Sequence, residues 1–89
     1  MKYILLDVGA VSSRDELHDF FARELSLPLW YGRNLDALHD CLTSITEETV
    51  LSVIRSEETP PDFAWYCRRL LRMLADSAEE NPHIHLNIL

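Results

Sequence analysis

The sequence predicts an α/β domain in which a small three-stranded, mainly parallel sheet is packed by three to four helices. Three segments have the length and apolar pattern of strands, and amphipathic segments of helical spacing lie between them. Strands that alternate with helices along a chain favour parallel pairing through helical crossovers. The 89 residues are 47% hydrophobic and 26% charged. This composition predicts a single globular domain over residues 1–89.

The first strand and first helix follow from the N-terminal third of the sequence. Residues 2–8 form a nearly unbroken apolar run, which is typical of a strand buried on both faces and predicts a central place in the sheet. Ser13 and Glu16 then form a capping-box pair. Apolar residues recur at helical spacing after it, so we expect a helix over about residues 14–25.

A loop with two adjacent aromatic residues precedes the second helix. Pro28 closes the first helical region, and Trp30 and Tyr31 follow it. Asn34 is a favourable N-cap, and leucines at i, i+3 and i+7 then define one apolar side of a helix that ends near Thr43. The polar residues of this helix are therefore expected on the opposite, exposed side.

The C-terminal half completes the sheet. The β-branched and apolar residues 49–54 predict a second strand, and residues 56–59 have room only for a short helical turn before two prolines. Asp62 is expected to cap a long amphipathic helix that ends at Asn81. Residues 84–88 alternate between apolar and polar side chains, which indicates a strand exposed on one face.

Charge and composition exclude several classes of function. Eight Lys and Arg face fifteen Asp and Glu, which gives a net charge of −7 and argues against direct nucleic-acid binding. The same charge favours a cationic partner. No apolar run approaches the roughly 20 residues of a membrane span. Cys41 and Cys67 lie in predicted helices, so we expect reduced thiols and a cytoplasmic protein.

Two groups of polar residues are candidate binding features. On the exposed side of the second helix, i, i+3, i+4 and i+7 spacing aligns Asp36, His39, Asp40 and Thr43. Like charges at i, i+4 destabilise a helix by roughly 0.2–0.5 kcal/mol. A second acidic group, late in the last helix, opposes the helix dipole: Asp76, Glu79 and Glu80. They are either ordinary solvated side chains or residues selected for a partner.

Catalytic and metal-binding interpretations have little support in the sequence. Asp36 and Asp40 have no evident means of separating their pKa values, as a general acid and base would require. His83 and His85 could face one side of the last strand, but a third metal ligand at useful spacing is absent. We therefore expect neither an enzyme nor a cofactor or metal site.

The loop and second helix resemble the central signature of the barstar family, the intracellular inhibitors of barnase-type ribonucleases. Residues 31–43 read YGRNLDALHDCLT, and the match extends over residues 27–43. The resemblance implies a barstar-like fold and a 1:1 complex with a basic, barnase-like ribonuclease. In such a complex, Asp40 would stand where a substrate phosphate binds and would pair with cationic catalytic residues.

The resemblance also implies a set of partner contacts. These are Trp30, Tyr31, Asn34, Asp36, His39, Asp40, Thr43, Ser44, Asp76 and Glu80. The chain departs from barstar at His39, which replaces a tryptophan, at Trp30, which replaces a tyrosine, and at Ser44-Ile45, which replaces a glycine-tryptophan pair. An imidazole beside Asp40 suggests that binding depends on pH near 6 to 7.

Other functions remain open at this point. The departures allow an immunity protein for a different nuclease toxin. Since fold does not determine function, the chain could also be an acidic interaction module for a non-nuclease protein. A small hydrolase that uses Asp36 and Asp40 is a third alternative.

Overall fold

The computed structural model describes residues 1–56 and 59–89, and in this part of the chain three strands form a fully parallel sheet in the order β1-β2-β3. The strands are β1 (Lys2–Asp7), β2 (Thr49–Ile54) and β3 (Ile84–Ile88). The α-helices are α1 (Arg14–Glu24), α2 (Leu35–Thr43) and α3 (Pro61–Glu80), and a 3-10 turn, Val8–Ala10, follows β1. The predicted α/β class and parallel sheet are confirmed.

The prediction that β1 is central and buried on both faces is wrong. β1 is an edge strand, and β2 lies in the middle. Ile4 and Leu6 are buried, whereas Tyr3 and Leu5 are 73% and 57% exposed. Sequential right-handed crossovers that proceed in one direction place their helices on the same face of a sheet. The helices therefore cover one face of the sheet. Tyr3 and Leu5 lie on the other face, and because they are apolar, the sequence of β1 resembles that of a strand buried on both faces.

The N-cap residues of α1 and α2 are those predicted, although the Glu16 carboxylate of the predicted capping box accepts from Ser12 N and not from Ser13 N. Ser13 Oγ accepts a hydrogen bond from Glu16 N at 3.2 Å, and Asn34 Oδ1 accepts one from Ala37 N at 2.8 Å. The predicted cap of α3 is wrong. Its N-cap is Pro60, and Asp62 lies in the first turn. A proline at the first helical position needs no amide partner, and Asp62 is favourable near the positive end of the helix dipole.

The turn predicted for residues 56–59 includes residues 57–58, which lie outside the described part of the chain. The end of α3 is as predicted, because Asn81 is its C-cap.

A buried hydrogen-bonded chain connects α1, the loop before α2, and α3. His18 is 1% exposed, and its Nδ1 and Nε2 atoms lie 2.6 Å from Tyr31 Oη and 2.7 Å from Tyr66 Oη. Burial, together with the charge of Arg33, lowers the pKa of His18. The neutral ring donates to one tyrosine and accepts from the other. Three segments distant in sequence are thereby joined.

A second buried polar contact joins the ends of α2 and α3. Asn81 Nδ2 donates to Leu42 O and Ile45 O, both at 2.9 Å, and Asn81 Oδ1 accepts from His83 N at 3.0 Å. The carbonyl groups at the end of a helix have no intrahelical partner. Asn81 therefore donates hydrogen bonds to carbonyl groups at the end of α2, and its side-chain oxygen fixes the backbone just before β3.

The free energy of unfolding should fall as the pH drops below the ordinary imidazole pKa of 6.5. Folding lowers the pKa of His18, so the unfolded chain binds more protons there, and the His18 contribution is complete only above this pH. The slope should reach at most about 1.4 kcal/mol per pH unit. Urea titrations from about pH 7.5 to about pH 5.5, above the range where carboxylates dominate, measure it.

His18→Gln, which keeps a donor and an acceptor but does not titrate, should flatten this pH profile. Asn87→Ala, at an exposed residue whose side chain does not titrate, should leave it unchanged. An identical slope in His18→Gln and the unaltered protein would contradict the assignment.

Asn81→Ala should destabilise the protein by about 1–3 kcal/mol, because the carbonyl group of Ile45 loses the amide donor and that of Leu42 keeps only longer backbone bonds, such as that from Ile45 N at 3.3 Å. Asn87→Ala, at an exposed asparagine of β3, is the matched control and should change stability by less than about 0.5 kcal/mol. Chemical denaturation measures both. Equal stability of the two variants would refute this role of Asn81.

Candidate partner-binding surface

The amphipathic character of α2 places its carboxylates in solvent. Leu38 and Leu42 are fully buried on the inner side, and Asp36 and Asp40 are exposed on the outer side. Neither carboxylate has a cation within 4.0 Å among the residues that the structure describes. They are therefore available to cations of another molecule.

The loop before α2 separates its two aromatic residues. Trp30 is 85% exposed, whereas Tyr31 is 8% exposed and bonded to His18. The burial of Tyr31 could not be predicted from its sequence neighbours, because it depends on the three-dimensional contact with His18. Tyr31 thus has a structural role and little exposed area, and its contact with a partner stays a prediction.

Arg33 and Asn34 hold the start of α2. Arg33 has a left-handed backbone, with φ of 54°, and its Nη2 donates to Asp19 Oδ1 at 2.8 Å and to Asp15 O at 2.9 Å. Asn34 caps the helix and donates from Nδ2 to Gly32 O at 3.2 Å. The side chain of Asn34 is thus already engaged in supporting the helix.

The last turn of α2 carries two hydroxyl groups beside Asp40. Thr43 Oγ1 donates to His39 O at 2.9 Å, and Ser44 Oγ donates to Asp40 O at 2.8 Å. Their protons are used by the backbone, but a hydroxyl oxygen can still accept a hydrogen bond. This end of the helix therefore offers only acceptors to a partner.

His39 joins the two acidic groups of the sequence. Its Nε2 lies 2.7 Å from Glu80 Oε2, and its Nδ1 lies 2.7 Å from Ser77 Oγ. His39, Asp76, Glu79 and Glu80 line an open depression of about 520 Å³. Carboxylates of α2 and α3 that are 40 residues apart in the sequence, such as Asp36 and Asp76, thus lie on one continuous surface. We call Asp36, Asp40, Asp76, Glu79 and Glu80 the acidic surface.

Two arginines beside the acidic surface were not identified from the sequence. Arg69 and Arg72 line a depression of about 400 Å³ together with Asp36 and Asp76. Their i, i+3 spacing, with Asp76 a further turn along the same helix, is the signal that could have indicated a shared face.

The histidines and thiols show other arrangements. His85 Nε2 lies 3.0 Å from Glu48 Oε2, and this hydrogen bond lowers the pKa of Glu48. Among residues 1–56 and 59–89, no group of three or more ligands could hold a metal ion, and no helix could span a membrane. Cys41 and Cys67 are free thiols whose pKa values are raised by burial.

Comparison with known proteins assigns the chain to a family. Residues 1–88 match the family model described as Barstar (barnase inhibitor). The chain is 33% identical over 81 residues to a Bacillus subtilis (strain 168) protein named "Putative ribonuclease inhibitor YrdF", and the match covers 90% of this chain and 89% of that protein. The chain therefore belongs to the barstar family.

Proposed function

We propose that this protein inhibits a basic, barnase-like ribonuclease by forming a 1:1 complex in which the acidic surface covers the active site of the enzyme. The observation that carries the proposal is that Asp36 and Asp40, on a helix held at both ends, form no ion pair with any residue the structure describes. Membership of the barstar family and the name of the Bacillus relative support it.

The physical basis is competition with RNA. A ribonuclease site binds phosphate through Arg, Lys and His side chains, and a carboxylate satisfies the same donors through charge-assisted hydrogen bonds. Asp40 takes the central position in this proposal because it lies in the middle of the exposed side of α2. A carboxylate on a helix side chain has no bond for the enzyme to cleave, so the site stays blocked.

The remaining contacts have graded roles. Trp30 packs against the rim of the partner, because an exposed aromatic ring buries a large area at low entropic cost. Asp36, Thr43, Ser44, Asp76 and Glu80 supply acceptors around Asp40. His39 and Asn34 position their neighbours, since their ring and amide groups are already bonded within the chain. The pH dependence of binding through His39 remains a prediction.

The proposal includes neither catalysis nor a cofactor. The acidic surface presents acceptors only. Ser77 Oγ lies 2.7 Å from Nδ1 of the neighbouring His39, but Ser77 is fully buried and its hydroxyl donates to Met73 O, so a substrate cannot reach it as a nucleophile. The free thiols fit a reducing compartment, and we propose that the protein acts in the cytoplasm.

Asp40→Ala should abolish stoichiometric inhibition of a basic microbial ribonuclease on a fluorogenic RNA substrate. Loss of one partner of a desolvated ion pair costs roughly 3–5 kcal/mol, which weakens binding roughly a hundredfold to several thousandfold. Asp62→Asn is the matched control, because Asp62 is exposed on α3 about 21 Å along the helix from Asp76.

The Asp62→Asn protein should inhibit like the unaltered protein. Equal loss in both variants would point to net charge rather than to a specific contact. If the unaltered protein inhibits no barnase-like enzyme but forms a complex with another nuclease toxin or a non-nuclease protein, the proposed target is wrong.

The rate of association with the ribonuclease should fall at least about tenfold between about 0.01 M and about 1 M salt. The Debye length contracts over this range from about 30 Å to about 3 Å, which removes the attraction between the net charge of −7 and a cationic partner. The barnase–barstar pair is itself the established case of such steering, so the magnitude is taken from it. Stopped-flow mixing measures the rate. A salt-independent rate would exclude steering by the acidic surface.

A further inference from the structure

A small cationic pocket adjoins the acidic surface. Arg14 from α1, Arg33 from the loop and Arg69 from α3 line a depression of about 220 Å³, together with Asp36. Three of the eight Lys and Arg residues of this acidic chain thus meet at one place. We call these three residues the arginine pocket.

Aromatic rings hold two of the three guanidinium groups. The Cζ atom of Arg14 lies 4.5 Å from the ring centre of Tyr66, and that of Arg69 lies 5.2 Å from the ring centre of Trp65. Trp65 is also 5.7 Å from Arg14, so it contacts both cations. Cation–π contacts restrain a guanidinium group without consuming its N–H donors. The pocket is therefore ordered while its donors stay available.

The two restrained arginines form no ion pair with a carboxylate in the described part of the chain. Arg33 is paired with Asp19 at 2.8 Å. Within residues 1–56 and 59–89, no carboxylate lies within 4.0 Å of Arg14 or Arg69. Asp36 lines the same depression but forms no ion pair there. Like charges held close together repel each other, and an external anion that bonds directly to both guanidinium groups would offset that repulsion.

We propose that the arginine pocket receives an Asp or Glu side chain of the ribonuclease, so that the interface combines the acidic surface with one contact of opposite polarity. This inference rests on the proposed function. Guanidinium groups bind a carboxylate through two parallel hydrogen bonds, and a pocket of about 220 Å³ admits one side chain.

The charge of the surroundings favours a carboxylate over RNA. The chain carries a net charge of −7, and Asp36 lines the pocket, so a polyanionic backbone would be repelled. A ribonuclease that places a cation against Asp36 and a carboxylate beside it satisfies both neighbouring charges. A nuclease with a Lys or Arg opposite the pocket would be rejected, so the pocket selects among basic enzymes.

The test compares Arg69→Gln and the double variant Arg14→Gln/Arg69→Gln with Arg68→Gln. Arg68 immediately precedes Arg69 on the same helix and lines a different depression, near Val8. Its substitution changes the net charge by the same amount as Arg69→Gln. Removal of a positive charge from an inhibitor of a cationic enzyme should by itself strengthen binding. A loss of affinity therefore reports a local contact.

Arg69→Gln should weaken inhibition of the ribonuclease at least about tenfold, and the double variant should weaken it further. Arg68→Gln should bind as tightly as the unaltered protein or more tightly. Urea denaturation of each variant gives its folded fraction, by which the dissociation constant is corrected. If the arginine-pocket variants bind as tightly as Arg68→Gln, the proposal is overturned.

Three further outcomes separate the ways in which the proposal could fail. Inhibition that depends on Asp40 but not on Arg69 leaves the proposed function in place and overturns the arginine pocket. An absence of inhibition by the unaltered protein overturns both. Saturable binding of a short oligoribonucleotide to the protein alone, lost in Arg69→Gln, would assign the pocket to RNA phosphate and overturn the carboxylate.

Discussion

The hydrogen-bonded chain from Tyr31 through His18 to Tyr66 is the constraint on which the rest of the structure depends. Burying either hydroxyl without a partner would cost about 1–3 kcal/mol, and the neutral ring supplies one donor and one acceptor. Because Tyr31 must reach His18, the loop is drawn against α1, which fixes where α2 begins. Trp30 is left outside, and Tyr66 brings α3 to the same place.

The stability of α2 and its proposed use in binding come from opposite sides of the helix. Burial of Leu38 and of Leu42 stabilises the fold by roughly 1.5–3 kcal/mol each, whereas repulsion between Asp36 and Asp40 costs only roughly 0.2–0.5 kcal/mol. The free energy gained by burying the two leucines therefore outweighs the repulsion between the two carboxylates. Hydrogen bonds of His39 and Asn81 join α2 to the region of α3. The carboxylates are therefore presented by a helix that is held along its length.

Elements governed by neighbouring residues could be predicted from the sequence. The caps at Ser13 and Asn34 and the bounds of β2 depend on local chemistry, and the structure contains them as expected. The place of β1 could not be predicted, because Tyr3 and Leu5 are apolar yet unburied. The burial of Tyr31 and the existence of the arginine pocket could not be predicted either. The contact of Tyr31 with His18 and the proximity of α1 to α3 arise only from tertiary packing.

The uncovered face of the sheet has a consequence for how copies of the protein behave toward one another. Tyr3 and Leu5 present apolar area on an edge strand, and exposed edges with apolar side chains favour self-association. Mutual repulsion between copies of charge −7 opposes this, and it vanishes as the pH approaches the isoelectric point of about 4.9. The excess of carboxylates thus keeps copies of the protein apart in solution, in addition to its proposed use in recognition, and a variant neutralised across the acidic surface would lose this mutual repulsion.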